Sequence, residues 1–191
     1  MKGLNEIIKE AFFDDHLEGK DAPVRAAIEG WLNKHCQEDA QNIQINDDMT
    51  LSTSWVCIFL DVDEQIPEYI RFKKCNSLMI YGEIESSPIK LHKDLLPPSM
   101  KRMNINASGV EFDDKIKLDV DELTISHAQT ISLSKKMSIR KLSVTDCKSL
   151  EKLENLQGAK YINIPNAFAA TLFRKAYNYK GDLSMNGFGP Y

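Results

Sequence analysis

Residues 120–144, VDELTISHAQTISLSKKMSIRKLSV, contain one short phrase twice. In this phrase, an apolar residue is followed three positions later by a second apolar residue and five positions later by a third. Val120-x-x-Leu123-x-Ile125 thus returns as Ile139-x-x-Leu142-x-Val144. Apolar residues that alternate over a short run predict a strand with one buried face. A phrase that returns after about 20 residues is typical of a solenoid, in which each repeat forms one coil and stacks on the next.

The phrase extends in both directions from this stretch. Its other copies are Trp55-x-x-Ile58-x-Leu60, Cys75-x-x-Leu78-x-Ile80, Met100-x-x-Met103-x-Ile105 and Ala159-x-x-Ile162-x-Ile164. One strand per coil, stacked in register, predicts a parallel sheet. The long step from Leu78 to Met103 predicts an insertion near residues 83–88. Secondary phrases at Ile89-x-Leu91, Ile116-x-Leu118 and Ile131-x-Leu133 predict extended segments at the back of several coils, whereas the apolar spacing in residues 150–156 predicts a helical or 3₁₀ back.

The two ends of the chain have helical rather than alternating patterns. Apolar residues recur with helical spacing in residues 4–13 and again in residues 22–36, which predicts two amphipathic helices. Residues 167–177 are rich in helix formers and predict a short C-terminal helix, followed by an irregular tail. We therefore divide the chain into a helical N-terminal cap (1–40), a repeat solenoid (41–166) and a C-terminal cap and tail (167–191).

Several segments resemble leucine-rich repeats of the bacterial type. LSVTDCKSLEKL (142–153) fits L-x-L-x-x-C-x-x-L, with Cys147 where that family places Asn or Cys, and IRFKKCNSL (70–78) fits the same frame with Cys75. LPPSMKRMNI (96–105) is similar to a junction common in that family. The resemblance covers about residues 55–166 and implies an α/β leucine-rich-repeat-like solenoid with a parallel β-sheet, an N-terminal helical cap and a short C-terminal helix. Small residues replace the family's asparagine column, so a flatter parallel β-helix-like solenoid is the alternative.

Composition and charge exclude some functions and favour a cytoplasmic location. The net charge of −4 is divided into −7 for residues 1–75 (8 Lys/Arg, 15 Asp/Glu) and +3 for residues 76–191 (16 Lys/Arg, 13 Asp/Glu), without the basic stripe that nucleic-acid binding needs. No run approaches the roughly 18 apolar residues of a membrane span. Acidic residues interrupt the N-terminus where an export signal needs an apolar core, and the four cysteines are scattered. Delivery by a route without a signal peptide stays open.

The sequence offers little for catalysis. It has no cysteine or histidine spacing of a zinc site, no glycine-rich phosphate loop and no G-x-S-x-G turn. We expect no enzyme activity, no cofactor and no metal. The exception to test is magnesium-dependent chemistry at Asp61/Asp63 or Asp119/Asp121, since Asp-x-Asp can bind magnesium. Solvated acids at strand ends, which discourage edge pairing, are the simpler interpretation.

Binding is easier to argue, because residues between the inward positions of a strand point outward. The predicted middle outward column begins with Phe59, Met79 and Asn104 and becomes small and polar further on. We predict a protein-binding surface on the strand face, made of Phe59, Asp61, Met79, Tyr81, Arg102 and Asn104. The function predicted is a non-enzymatic protein–protein interaction module, for example an effector or inhibitor. A structural subunit of a larger particle is the alternative, and the N-terminal helices could instead cover the apolar cluster. The partner and the oligomeric state cannot be read from the sequence.

Overall fold

The computed structural model describes residues 21–147, 150–163 and 182–184. In these ranges the chain forms a solenoid of parallel strands with about five turns, preceded by one α-helix. The first elements are α1 (Asp21–His35), a 3₁₀ helix (Gln37–Asn42), β1 (Gln44–Ile45), β2 (Leu51–Phe59), β3 (Phe72–Tyr81) and β4 (Ile89–Leu91). They are followed by β5 (Ser99–Asn106), β6 (Gly109–Phe112), β7 (Asp119–Ser126), β8 (Thr130–Ser132), β9 (Ser138–Thr145), β10 (Lys152–Glu154), a 3₁₀ turn (Leu156–Gly158), β11 (Ala159–Asn163) and β12 (Asp182–Ser184).

The strands of the described residues form two sheets. The front sheet has the order β1-β2-β3-β5-β7-β9-β11-β12, and the back sheet has the order β10-β8-β6-β4. Every neighbouring pair is parallel except β1 with β2. Each regular coil thus contributes a long front strand and a short back strand, and the core lies between the two sheets. The predicted solenoid with a parallel sheet is confirmed.

Stacked apolar side chains explain why the coils form. One inward row of the front sheet consists of Val56, Leu78, Met103, Leu123, Leu142 and Ile162, each in register with its neighbour and fully buried. A back row of Ile89, Val110, Ile131 and Leu153 is stacked in the same way. A fully buried Leu or Ile side chain stabilises the fold by about 1.5–3 kcal/mol relative to an exposed one. Since each coil alone would leave its apolar residues open above and below, stacking on a neighbour is what holds the coil.

The gap of two residues inside the phrase has a simple structural meaning. Both residues of each gap point towards solvent, between a buried residue before them and a buried residue after them. In successive coils these gaps carry Lys101–Arg102, Asp121–Glu122 and Arg140–Lys141, so the sign of the charge alternates. Arg102 Nε lies 3.3 Å from Glu122 Oε2, and Arg140 Nε lies 3.1 Å from Asp121 Oδ1. Opposite charges on neighbouring strands support the register of the sheet.

The predicted alignment of the first coil was wrong by two residues. Val56, not Ile58, lies opposite Leu78, so this coil is 22 residues long. Thr53 occupies the buried position before the gap, and its hydroxyl is paired with the backbone of Trp55. Trp55, which the sequence placed inward, is exposed. A hydrogen-bonded threonine can take an inward position that a count of apolar residues assigns to tryptophan.

Three further expectations are corrected along the solenoid. Cys75 lies inside β3 opposite Thr53, not at the turn position that Cys147 occupies after β9. The back of the coil after β9, predicted to be helical or 3₁₀ over residues 150–156, is the strand β10 at Lys152–Glu154, and the 3₁₀ turn follows only at Leu156–Gly158. Residues 116–118 are not a strand, although Ile116 and Leu118 are buried. Extended backs at Ile89–Leu91 and around Ile131 are confirmed.

The caps are described in part. The predicted helix over residues 22–36 is confirmed by α1, whose buried face is Val24, Ile28, Trp31 and Leu32. The predicted helices at residues 4–13 and 167–177 lie outside the described residues. The tail, predicted to be irregular, contributes β12, which pairs in parallel with β11. The front sheet therefore continues by one strand beyond the last predicted repeat.

Candidate functional site

Large apolar side chains are exposed only at one end of the described solenoid. Among the described residues they are Trp55 (44% exposed), Phe59 (40%), Val62 (65%), Tyr81 (37%) and Ile84 (50%), which we call the apolar patch. All five belong to the first two coils, on β2, on β3 or in the loops that follow these strands. An isolated exposed apolar residue is ordinary, but here the exposed large apolar side chains of the described residues are all grouped in the first two coils.

The centre of the apolar patch is a stacked aromatic pair. Phe59 and Tyr81 end β2 and β3 and lie opposite each other in the register. Their ring centroids are 5.3 Å apart and the ring planes differ by 13°. Such a pair contributes about 0.5–1.5 kcal/mol beyond its buried area, so the two rings hold each other in place. Each ring remains more than one third exposed, which leaves a rigid apolar surface available to a partner.

The backbone beneath Phe59 is held by the N-terminal cap. Beyond Ser52, β2 has no strand on its outer side, because β1 pairs only with Leu51 and Ser52. There the cap provides the missing hydrogen bonds: His35 Nδ1 donates to the Phe59 carbonyl at 2.7 Å, and the Cys57 N–H donates to Asp39 Oδ2 at 3.2 Å. A sheet edge with unpaired backbone groups invites pairing with another chain. The cap therefore closes this edge.

A charged network joins the cap to the loop after β2. Lys34 Nζ lies 3.0 Å from Glu64 Oε1 and 3.1 Å from Asp61 Oδ2, and hydrogen bonds to Glu64 and then Asp61 raise the pKa of this ammonium. The buried His35 ring packs on Trp31 at 4.6 Å, and its Nε2 lies 3.3 Å from Glu64 Oε1. With Nδ1 directed at the Phe59 carbonyl, the other ring nitrogen, Nε2, faces the Glu64 carboxylate. Asp61 and Glu64 thus already have cationic or imidazole neighbours.

Further acids surround the exposed end of the first two coils. We call Asp61, Asp63, Glu83 and Glu85 the acidic rim; all four are exposed. Asp63 Oδ1 accepts hydrogen bonds from the Ser87 N–H at 2.8 Å and the Ser87 hydroxyl at 2.7 Å, and the hydroxyl bond, followed by the N–H bond, lowers the pKa of this carboxyl. These bonds tie the loop after β2, which contains Val62, to the loop after β3, which contains Ile84.

The predicted site residues are only partly brought together. Phe59 and Tyr81 meet, but the middle column begins with Cys57, not Phe59: Cys57 lies opposite Met79, and Met79 lies opposite Asn104. Cys57 is buried beside the cap, whereas Met79 and Asn104 are half-buried on the open face. The described part of the cap, residues 21–42, therefore lies beside this column at Cys57, whereas Phe59 and Tyr81 are each more than one third exposed.

The two remaining predicted residues have local partners. Arg102 lies in the row of Ser77 and Trp55, towards the start of the strands, and is paired with Glu122. Asp61 is paired with Lys34. Both contacts are ion pairs between solvent-exposed side chains, and such pairs contribute little to stability.

The acid pairs considered for catalysis do not converge. Asp61 and Asp63 follow the C-terminal end of β2, whereas Asp119 begins β7 and Asp121 is two residues further on. Since the strands are parallel, the first group lies where the front strands end and the second lies where they begin. Within residues 21–147, 150–163 and 182–184, no group of three or more His, Cys, Asp or Glu side chains is placed to hold a metal ion.

Sequence reasoning missed Val62, Ile84 and the two cap residues that hold β2. Val62 and Ile84 each stand alone between acids, in LDVDE (60–64) and GEIE (82–85). An isolated branched apolar residue inside an acidic loop is a signal that could have found them. His35 and Asp39 gave no such signal, since their partners lie 24 and 18 residues away and depend on how the cap docks.

The four thiols are structural side chains rather than a reactive group. All are buried and free, and burial raises the pKa of Cys36 and Cys75 to about 12 and that of Cys57 and Cys147 to about 11. The thiolate is the reactive form, so these values disfavour nucleophilic or redox chemistry near neutral pH.

We expect the native protein at about pH 8 not to react with the thiol reagent DTNB, because about one thiol in a thousand or fewer would be ionised at these pKa values and the side chains are inaccessible. In denaturant all four cysteines should react, since the pKa values return to their ordinary range and the thiols become exposed. The absorbance of the released chromophore measures both states. Rapid release of one equivalent from the native protein would contradict the burial of that thiol.

The fold and surface together define a parallel β-solenoid with a closed N-terminal edge and an apolar patch on its first coils. No protein-family model, curated protein or solved structure matches the chain. No helix among the described residues is long and apolar enough to cross a membrane.

Proposed function

We propose that this protein is a non-enzymatic interaction module that binds a protein partner through the apolar patch on its first two coils. The observation that carries the proposal is the confinement of every large exposed apolar side chain in the described residues to Trp55–Ile84. Aromatic residues dominate protein-binding hot spots, especially when they are rigid and surrounded by polar groups. Phe59 and Tyr81 have both properties, since they stack on each other and adjoin the acidic rim.

The later coils offer a contrast within the same sheet. Their outward columns carry Asn104, Thr124 and Ser143 in one row and Asn106, Ser126 and Thr145 in another. These side chains are small and polar, and none buries the area that an aromatic ring does. The repeat therefore provides the scaffold, and its first two coils provide the contact surface.

We expect Phe59→Ala with Tyr81→Ala to abolish partner capture, because the pair removes the largest rigid apolar surface available for contact. The loss of stacking should lower the free energy of unfolding by only about 1 kcal/mol, a shift in Tm of about 2–4 °C for a chain of this size. Affinity purification of the tagged chain from its native cells, with partners identified by mass spectrometry, measures capture. Thermal unfolding followed by circular dichroism measures stability.

Ser143→Ala with Thr145→Ala is the matched control, since it removes two outward side chains from β9 without touching the first coils. It should keep the captured partners of the wild type. Retained capture by the aromatic double variant would overturn the proposed surface. A loss of stability above about 3 kcal/mol would instead show that Phe59 and Tyr81 are core residues.

A leucine-rich-repeat origin is part of the proposal. Segment 142–153 supports it, because Cys147 is buried at the turn three residues after the inward Val144. The parallel back sheet supports the flatter, β-helix-like arrangement.

The cytoplasm is the proposed compartment, and the four buried free thiols support a reducing environment.

A further inference from the structure

We infer that the partner presents a basic polypeptide segment with apolar anchors, which docks its anchors on the apolar patch and its Lys or Arg side chains on the acidic rim. The inference rests on the proposed function and adds the chemistry of the partner. The evidence for it is the charge around the exposed apolar side chains. The proposed function rests on a different observation, the exposure of those side chains.

The loop segments that contain Val62 and Ile84 carry acids and no Lys or Arg. LDVDE (60–64) and GEIESSP (82–88) contain five acidic residues in all, and neither contains Lys or Arg. Val62 lies between Asp61 and Asp63, and Ile84 lies between Glu83 and Glu85. Each of these apolar side chains therefore has an exposed acidic residue before and after it in the chain.

Only part of this negative charge is neutralised within the described chain. Lys34 is paired with Asp61 and Glu64, and His35 adjoins Glu64. Asp63 accepts hydrogen bonds from Ser87, which are neutral donors and leave its charge in place. Glu83 and Glu85 are exposed. The part of the apolar patch at Val62 and Ile84 is thus bordered by net negative charge, to which Lys34 adds one positive charge.

The turns that follow the front strands of the later coils are nearly uncharged. After β5 the turn is Ala107–Ser108, and after β7 it is His127–Ala128. After β9 the connecting segment 146–151 contains Asp146, Lys148 and Glu151, a net charge of −1. Charge and exposed apolar area therefore occur together in the first two coils, and they fade together along the sheet.

Complementary charge explains orientation and rate of binding, while the aromatic pair explains affinity. Exposed charges at the border of an interface steer association and exclude partners of like charge. Carboxylates here repel nucleic acid and acidic peptides and attract a basic segment. Because the charges are exposed, their effect should weaken as salt screens them, whereas apolar contact should persist.

The test uses two labelled synthetic peptides of about 15 residues, long enough for a marginal helix. Both peptides contain leucines at the same positions and one tryptophan. All charged residues are lysine in the first peptide and glutamate in the second. Fluorescence anisotropy measures Kd for each at about 0.05 M and about 0.5 M salt. We expect the lysine peptide to bind the wild type at least about tenfold more tightly than the glutamate peptide at low salt, and the difference to shrink at high salt.

The rim variant neutralises three of the four residues of the acidic rim, as Asp63→Asn, Glu83→Gln and Glu85→Gln. It keeps Asp61 and Glu64 with their cap partners, and asparagine retains an acceptor for Ser87. Its control, Glu68→Gln with Asp114→Asn and Glu151→Gln, removes the same charge from other exposed positions. The rim variant should weaken the lysine peptide about tenfold at low salt, and the control should change it less than about twofold.

Each outcome decides one of the two ideas. Equal binding of both peptides to the wild type, no binding of the lysine peptide up to about 1 mM, or equal weakening by the rim variant and its control overturns the basic-segment inference. The proposed function then still stands if Phe59→Ala with Tyr81→Ala loses the native partner. Conversely, a rim effect with no effect of the aromatic double variant on either the peptide or the native partner overturns the proposed apolar surface.

Discussion

Leu123→Ala is expected to lower the free energy of unfolding by about 3 kcal/mol. Leu123 is fully buried and stacks in the front row between Met103 and Leu142. Truncation leaves a cavity between coils on both sides, and a β-sheet paired in register on both edges has little freedom to collapse into it. The loss is large compared with the 5–15 kcal/mol that usually separates a folded domain from its unfolded state, so it should be unmistakable.

Urea unfolding followed by circular dichroism measures this loss, and Thr124→Ala is the matched control on the same strand. Thr124 is the next residue, points outward and lies between Asn104 and Ser143. Its truncation should change the free energy of unfolding by no more than about 0.5 kcal/mol. Similar losses at both positions would mean that the inward and outward sides of β7 are not as described.

Removing the two side chains that close the edge of β2 is expected to have the second large effect. His35→Ala with Asp39→Ala should lower the free energy of unfolding by about 2–4 kcal/mol, because it leaves the Phe59 carbonyl and the Cys57 N–H without their partners. The same variant should self-associate as concentration rises, since the freed edge can pair with another copy. Urea unfolding measures the first effect, and light scattering coupled to gel filtration measures the second.

Lys34→Ala separates edge closure from the neighbouring ion pairs. It removes the exposed contacts with Asp61 and Glu64 but leaves the backbone of β2 paired. It should leave the free energy of unfolding nearly unchanged, because exposed ion pairs contribute little, and it should not cause association. If the His35/Asp39 variant is destabilised yet stays monomeric at every concentration, the cap supports packing but does not protect the edge.

The regular part of the fold was predictable because its periodicity is strict. In the coils that contain Leu123 and Leu142, buried apolar residues and outward polar residues follow one pattern, so the strands and their order could be predicted. The first coil broke the pattern twice. Thr53 is polar but inward, and Trp55 is apolar but outward. Matching the apolar residues therefore aligned Ile58 with Leu78, whereas in the structure Val56 lies opposite Leu78.

The candidate surface was predictable in part for the same reason. Alternation along β2 and β3 placed Phe59 and Tyr81 outward, but the two-residue error hid the fact that they lie opposite each other. Val62 and Ile84 lie in loops, where no periodicity assigns a direction. Closure of the β2 edge by His35 depends on the docking of α1, and a hydrogen bond to a backbone carbonyl 24 residues away leaves no trace in composition or spacing.

The register of the front sheet also fixes a distance. From β2 to β11 the sheet advances by five strand-to-strand steps, each of about 4.8 Å, or about 24 Å in all. Because the rows of side chains lock each step, this length cannot change without unstacking a coil. A group attached at β11 is therefore held at a set separation from the aromatic pair, and the solenoid acts as a rigid spacer between its two ends.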